Sequence, residues 1–165
     1  MGLDSYLYKH KSKYDYESYS PNRIVVTEIV IKRSDGTSVS MPINPEESFY
    51  LDTEVAYWRK HWWIHEYFVR ECGNNTADYN GIDIYVPYNK LLQLYEICKN
   101  VLDEENPDDA ECIFDNNFDA DDWHGEDTRE DMERTCNMLR PLLFSNSPEI
   151  QKILEQQNFI YNGNY

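Results

Sequence analysis

Asp115, Asn117 and Asp119 alternate along the chain, and Glu126 follows seven residues later. Those positions match places 1, 3, 5 and 12 of a calcium-loop template, in which side-chain oxygens converge on one hard cation. The spacing therefore offers a calcium or magnesium site. Two residues count against it: Ala120 stands where the sharp turn wants glycine, and Asp122 where an apolar residue is usual. An Asp-rich stretch matches part of such a template by composition alone, and the plainer reading is a solvated acidic loop. His124, among Asp121, Asp122 and Glu126, could join carboxylates around manganese or magnesium. No partner motif elsewhere supports catalysis there, and surface residues without a role are the plainer reading.

Other chemistry is weaker still. His61 and His65 are spaced one helical turn apart, but Trp62 follows His61 where a His-Glu-x-x-His metalloprotease has its general base. A hydrogen-bonded or exposed pair at the edge of an aromatic face fits better. Arg59, Lys60 and Arg70 are too few for a nucleic-acid strip and are expected to pair internally with the acidic segment. There is no phosphate-cradling glycine loop, nucleophile elbow or dinucleotide fingerprint. The sequence assigns no catalytic residue.

Charge is the dominant signal. Residues 103–133 hold fifteen acids and one base, Arg129, out of a net charge of -16 for the chain. The remainder of the chain is therefore nearly neutral. Such a balance argues against direct nucleic-acid binding and against an anionic membrane surface. It favours cations, or basic protein surfaces that otherwise hold nucleic acid. No apolar run approaches the length of a membrane span. The four cysteines, Cys72, Cys98, Cys112 and Cys136, form no C-x-x-C unit. With no signal-peptide pattern at the N-terminus, these features predict a cytoplasmic protein with reduced, core-filling thiols.

The elements that would position these residues are legible as an α+β pattern: one small domain over 1–165, with a β-hairpin or short sheet and three to four helices. Segments 9–20, 103–111 and 160–165 are expected to be mobile, with the tail Asn158–Tyr165 partly ordered through Phe159 and Ile160. Strands are expected at Leu3–Tyr8, Arg23–Arg33, Thr37–Ile43, Ile82–Val86 and Cys112–Phe114, with a Ser34-Asp35-Gly36 turn. Thr53–Cys72 reads as a helix capped by Asp52 and closed by Gly73 in the left-handed region. A second helix follows Pro87 and ends at Asn106-Pro107. A third starts at Glu126, with Met132, Cys136, Leu139 and Leu143 as its apolar stripe. Ser147-Pro148-Glu149 opens a last short helix to Gln157.

Met1-Gly2-Leu3-Asp4 followed by Tyr6-Leu7, and Tyr57-Trp58-Arg59-Lys60 followed by Ile64-His65 and Phe68, carry a resemblance. The chain resembles a family of small bacteriophage proteins that begin MGLDMYL and have a YWRK…IH…F helix. It departs from them in the hairpin region and at Cys112–Asn117, where relatives tend to show an aromatic-glycine strand. The resemblance implies a phage origin and a fold rather than a mechanism.

Like charges one helical turn apart repel, so so dense an acidic segment is costly without an external counter-charge. Glu130 can pair with Arg134, but little else nearby is basic. The favoured expectation is an interaction protein in the host cytoplasm. Asp119, Asp121, Asp122, Glu126, Asp127, Glu130 and Asp131 would imitate phosphates and occupy a basic groove on a host protein, including a defence protein. The alternatives are a metal-binding protein or metal-dependent enzyme built on Asp115–Glu126, and an acidic surface that serves solubility alone.

Overall fold

A computed structural model describes residues 2–12, 28–44, 50–73, 80–118 and 123–165. The architecture is α+β, as expected. Six strands and five helices follow in the order β1 (Asp4–Ser12), β2 (Glu28–Lys32), β3 (Ser38–Pro42), β4 (Tyr50–Arg59), α1 (Trp62–Cys72), β5 (Asp83–Val86), α2 (Tyr88–Asp103), α3 (Pro107–Asn117), α4 (Glu126–Leu143), α5 (Pro148–Glu155) and β6 (Asn158–Asn164) among the described residues. Contacts gather the chain into two compact units, residues 10–52 and the remainder.

The smaller unit contains the expected hairpin. β2 and β3 pair antiparallel, with Ile29 opposite Met41 and Ile31 opposite Val39. The Ser34–Gly36 turn forms because Gly36 accepts a φ of 85°, while Asp35 receives both the backbone N–H and the hydroxyl of Thr37 at 2.8 and 2.7 Å. The expected strand from Arg23 reaches the described residues only from Glu28 onward.

The larger unit is built on a four-stranded sheet in the order β4-β1-β6-β5. β6 is the surprise. Residues 160–165, expected to be mobile, contribute most of an inner strand. Phe159 and Tyr161 point into the core at alternate positions, and Tyr161 lies opposite Ile84 of β5. Gly163 continues that inward face, where a Cβ would come within 2.6 Å of the His65 ring.

Three further expectations are corrected. Thr53–Arg59 is strand, not helix: Ala56 and Trp58 are buried and their neighbours less so, a period of two rather than 3.6. Lys60 then takes a positive φ of 63°, which redirects the chain, and α1 begins only at Trp62, so Asp52 caps nothing there. Gly73 is extended (φ -69°) rather than left-handed. Cys112–Phe114 is not a strand but lies in α3. Asn106-Pro107 both ends the run before it and starts α3: the Asn106 side chain accepts from Asp108 N at 3.2 Å, and Pro107, Asp108 and Asp109 fill the first turn. Residues 103–111 thus close one helix and open the next.

Helices α2, α3 and α4 complete the core. Leu91, Leu94, Cys98 and Val101 of α2 and Phe114 of α3 meet Met132, Cys136, Leu139 and Leu143, the expected stripe of α4. α4 continues through Pro141 to Leu143. Ser147 caps α5 as expected, accepting from Ile150 N. No helix among the described residues is long and apolar enough to cross a membrane.

Candidate functional site

α4 presents three sides, and each meets a different environment. The buried side carries Met132, Thr135, Cys136, Leu139 and Leu143. Thr135 also accepts a hydrogen bond from Trp58 Nε1 at 3.0 Å, which ties β4 to the helix through an otherwise apolar contact.

The second side is open. Residues 126, 130 and 133 fall within about 60° of one another at 3.6 residues per turn. Glu126, Glu130 and Glu133 are all exposed. They line adjoining surface depressions that run on to Glu104, Glu105 and Glu111 at the α2–α3 corner. Arg129, the one base of the acidic segment, lies at the border between this side and the buried one. Its guanidinium does not serve the carboxylates. Nη1 and Nη2 donate to the carbonyls of Val101 and Leu102, both at 2.8 Å, and so satisfy the C-terminal end of α2. The expected Glu130–Arg134 pair is also absent among the described residues: Arg134 Nη2 donates to Tyr57 O at 3.0 Å. Of the acids at this corner, Asp103 is neutralised by Lys99 at 2.7 Å, a partner four residues earlier on α2.

The third side meets neighbouring basic and imidazole side chains. Asp127 and Asp131 line a recess of about 200 Å³ with Arg59, Lys60, His61, Trp63, His124 and Thr128. Asp131 Oδ2 lies 3.2 Å from His61 Nδ1. His124 donates its backbone N–H to Thr128 Oγ1 at 2.8 Å, which fixes the entry to the helix. Arg59 and Lys60 share this recess with Asp127 and Asp131, at the end of β4 rather than on a helix, but no ion pair joins them to these acids among the described residues. Arg70 is engaged elsewhere, with Glu71 at 3.0 Å and with Asn117 O at 2.8 Å.

The expected site residues thus divide. Glu126 and Glu130 share the open side. Asp127 and Asp131 belong to the recess, and Asp119, Asp121 and Asp122 lie outside the described residues. The expected metal ligands divide too. Asp115 and Asn117 sit on α3, where residues two apart diverge by about 200°. Asn117 Nδ2 already donates to Ile113 O at 2.8 Å. Among the described residues, no group of three or more His, Cys, Asp or Glu side chains is placed to hold a metal ion.

The two histidines also part company. His61 turns to Asp131, whereas His65 is buried on α1, its Nδ1 3.1 Å from the Tyr161 hydroxyl, which in turn donates to Ser5 Oγ at 2.9 Å. Burial lowers the His65 pKa and favours the neutral ring.

Glu133 was legible as a continuation of the open side, being seven residues from Glu126 and three from Glu130. Glu104, Glu105 and Glu111 join it only through the α2–α3 turn, which no spacing announces. No known protein-family profile, curated protein or solved structure matches the chain.

Proposed function

We propose that this is a phage-type interaction protein whose open α4 side docks on a basic surface of a host protein, one that otherwise receives nucleic-acid phosphates. One observation carries the reading. Amid Glu104, Glu105, Glu111, Glu126, Glu130 and Glu133, Arg129 is turned inward to cap α2 and Arg134, beside Glu130 and Glu133, donates to Tyr57 O, so no ion pair neutralises these carboxylates among the described residues. Carboxylates held on rigid helices act as preorganised anions, and complementary charge gives fast, salt-sensitive association. Asp119, Asp121 and Asp122 belong to the same proposed surface by sequence. The partner is a basic protein, in the host cytoplasm, and the resemblance to phage proteins makes a host defence protein the natural class of target. Inhibition then follows from occupancy of a groove rather than from chemistry.

The test is capture of partners from bacterial lysate on three immobilised proteins: the wild type, E126Q/E130Q/E133Q, and D127N/D131N. The expected result is a basic protein retained at low salt by the wild type and D127N/D131N, and lost from the triple variant. Equal retention on all three, or none on any, overturns the proposal and leaves solubility as the role of the charge.

A further inference from the structure

The recess beside α4 holds two cations that the chain leaves without partners. Arg59 and Lys60 are exposed, and among the described residues neither side chain makes a hydrogen bond or an ion pair, although Asp127 and Asp131 line the same recess. Lys60 is also held in a costly conformation: it is the one non-glycine residue with a positive φ among the described residues, at 63°. Its backbone N–H donates to Leu3 O at 2.6 Å, and its side chain runs over Gly2, where a Cβ would come within 3.3 Å of Lys60 Cε. Strain of this kind persists where the surroundings over-determine it, and it gathers at ligand clamps. The opposite wall of the recess is the entry to α4. There the Asp127 carboxylate and the His124 ring also lack a partner among the described residues. His61 and Asp131, 3.2 Å apart, join the two walls.

We propose that this recess is a binding site for a small phosphorylated sugar. Its volume of about 200 Å³ is below the roughly 300–1,000 Å³ of sites for drug-sized ligands, so its occupant is small. Arg59 and Lys60 supply a guanidinium fork and a point charge, the donors that phosphate oxygens take. A bare anion fits poorly, because Asp127 and Asp131 share the space. Asp131 is engaged by His61, which leaves the carboxylate of Asp127 for the ligand. An unpaired carboxylate accepts hydrogen bonds from hydroxyls, and the His124 ring adds one more donor or acceptor. A ligand with a phosphate at one end and hydroxyls at the other satisfies both walls at once. The site shares no residue with the open side of α4 and needs no protein partner.

Calorimetric titration with ribose 5-phosphate, ribose and inorganic phosphate is the test. The wild type should bind ribose 5-phosphate about tenfold more tightly than inorganic phosphate, and ribose should give no saturable heat. R59Q/K60G should weaken ribose 5-phosphate by about tenfold or more. Glycine suits the positive φ at position 60, so thermal denaturation should show this variant folded and no less stable there. If it does not fold, Arg59→Gln alone, on an exposed side chain, gives the same reading. Asp127→Ala should bring ribose 5-phosphate and inorganic phosphate to similar affinities. Lys152→Gln, which removes a positive charge from α5, should bind as the wild type does. The proposal is overturned if the wild type shows no saturable binding at millimolar ribose 5-phosphate. It is equally overturned if loss of Arg59 and Lys60 changes nothing, if Lys152→Gln weakens binding as much, or if inorganic phosphate binds the wild type as tightly as the sugar phosphate. Retention of the full preference in Asp127→Ala also overturns it.

Discussion

Glu130 and Asp131 are consecutive acids on one helix, and they meet opposite surroundings. Glu130 stands on the open side of α4 with Glu126 and Glu133, where Arg129 is turned inward to two carbonyls of α2 and Arg134 to the Tyr57 carbonyl. Asp131 stands on the next side and lies 3.2 Å from His61, in a recess that also holds Arg59 and Lys60. A rotation of 100° about the helix axis separates a carboxylate with no ion pair among the described residues from one that lies beside an imidazole. The density of acid in a sequence therefore says little about which acids are available to a partner. The neighbouring strand end and the direction of one arginine decide it.

The contrast between the sides can be broken most severely through the buried one. Leu139→Ala should cost about 2–5 kcal/mol, because it opens a cavity where α4 meets α2 and the sheet. Glu133→Ala, six residues earlier on the open side, should stay within about 0.5 kcal/mol. Thermal denaturation of the two variants measures the difference, and comparable losses would mean that the open side is packed.

Arg129→Gln is the next largest change. If the guanidinium caps α2, its removal should cost about 1–3 kcal/mol, since the Val101 and Leu102 carbonyls lose charge-assisted donors. Urea unfolding that shows no loss would place Arg129 among the surface carboxylates instead.

Neutralisation should then separate the two acidic sides by sign. E126Q/E130Q removes a repulsion between residues one turn apart and should stabilise by about 0.2–0.5 kcal/mol at low salt. Asp131→Asn loses its contact with His61 and should destabilise, by at most about 1 kcal/mol for a partly exposed pair. The same sign for both would erase the distinction.

The smallest effect concerns acid. His65 is neutral in the fold, with its pKa lowered by burial from the ordinary 6.5. The unfolded chain binds that proton more readily, so stability is full above about pH 6.5 and declines as pH falls below it. Stability measured against pH should lose this component in His65→Gln, and an unchanged slope would assign it to another group.

Of the two helices that begin with a polar cap and a proline, α5 was legible in the sequence and α3 was not; the hairpin turn and the apolar stripe of α4 were legible too. Ser147-Pro148 signals a helix start by local hydrogen bonding alone, and Met132, Cys136, Leu139 and Leu143 carry the helical period. Asn106-Pro107 carries the same start signal, yet the dipeptide also terminates α2, and one function masked the other. Thr53–Arg59 misled because Val55, Trp58 and Trp62 happen to fall at helical spacing, while pairing with β1 selects the strand. The tail was under-read for a similar reason: only the sheet shows why Phe159 and Tyr161 alternate. At the candidate site, the acids on one helix face could be worked out from a period of 3.6. The His61–Asp131 contact and the inward turn of Arg129 are tertiary, with no trace in spacing.

The central claim is that the open side of α4, and not the acids of the recess, meets a basic partner. The most direct measurement is the affinity of the captured partner for the wild type, E126Q/E130Q/E133Q and D127N/D131N, each titrated across ionic strength. Binding should weaken with salt for the wild type and D127N/D131N. At low salt the triple variant should bind about tenfold or more weakly, with a flatter salt dependence. Equal affinities and equal salt dependence for the wild type and the triple variant would contradict the central claim.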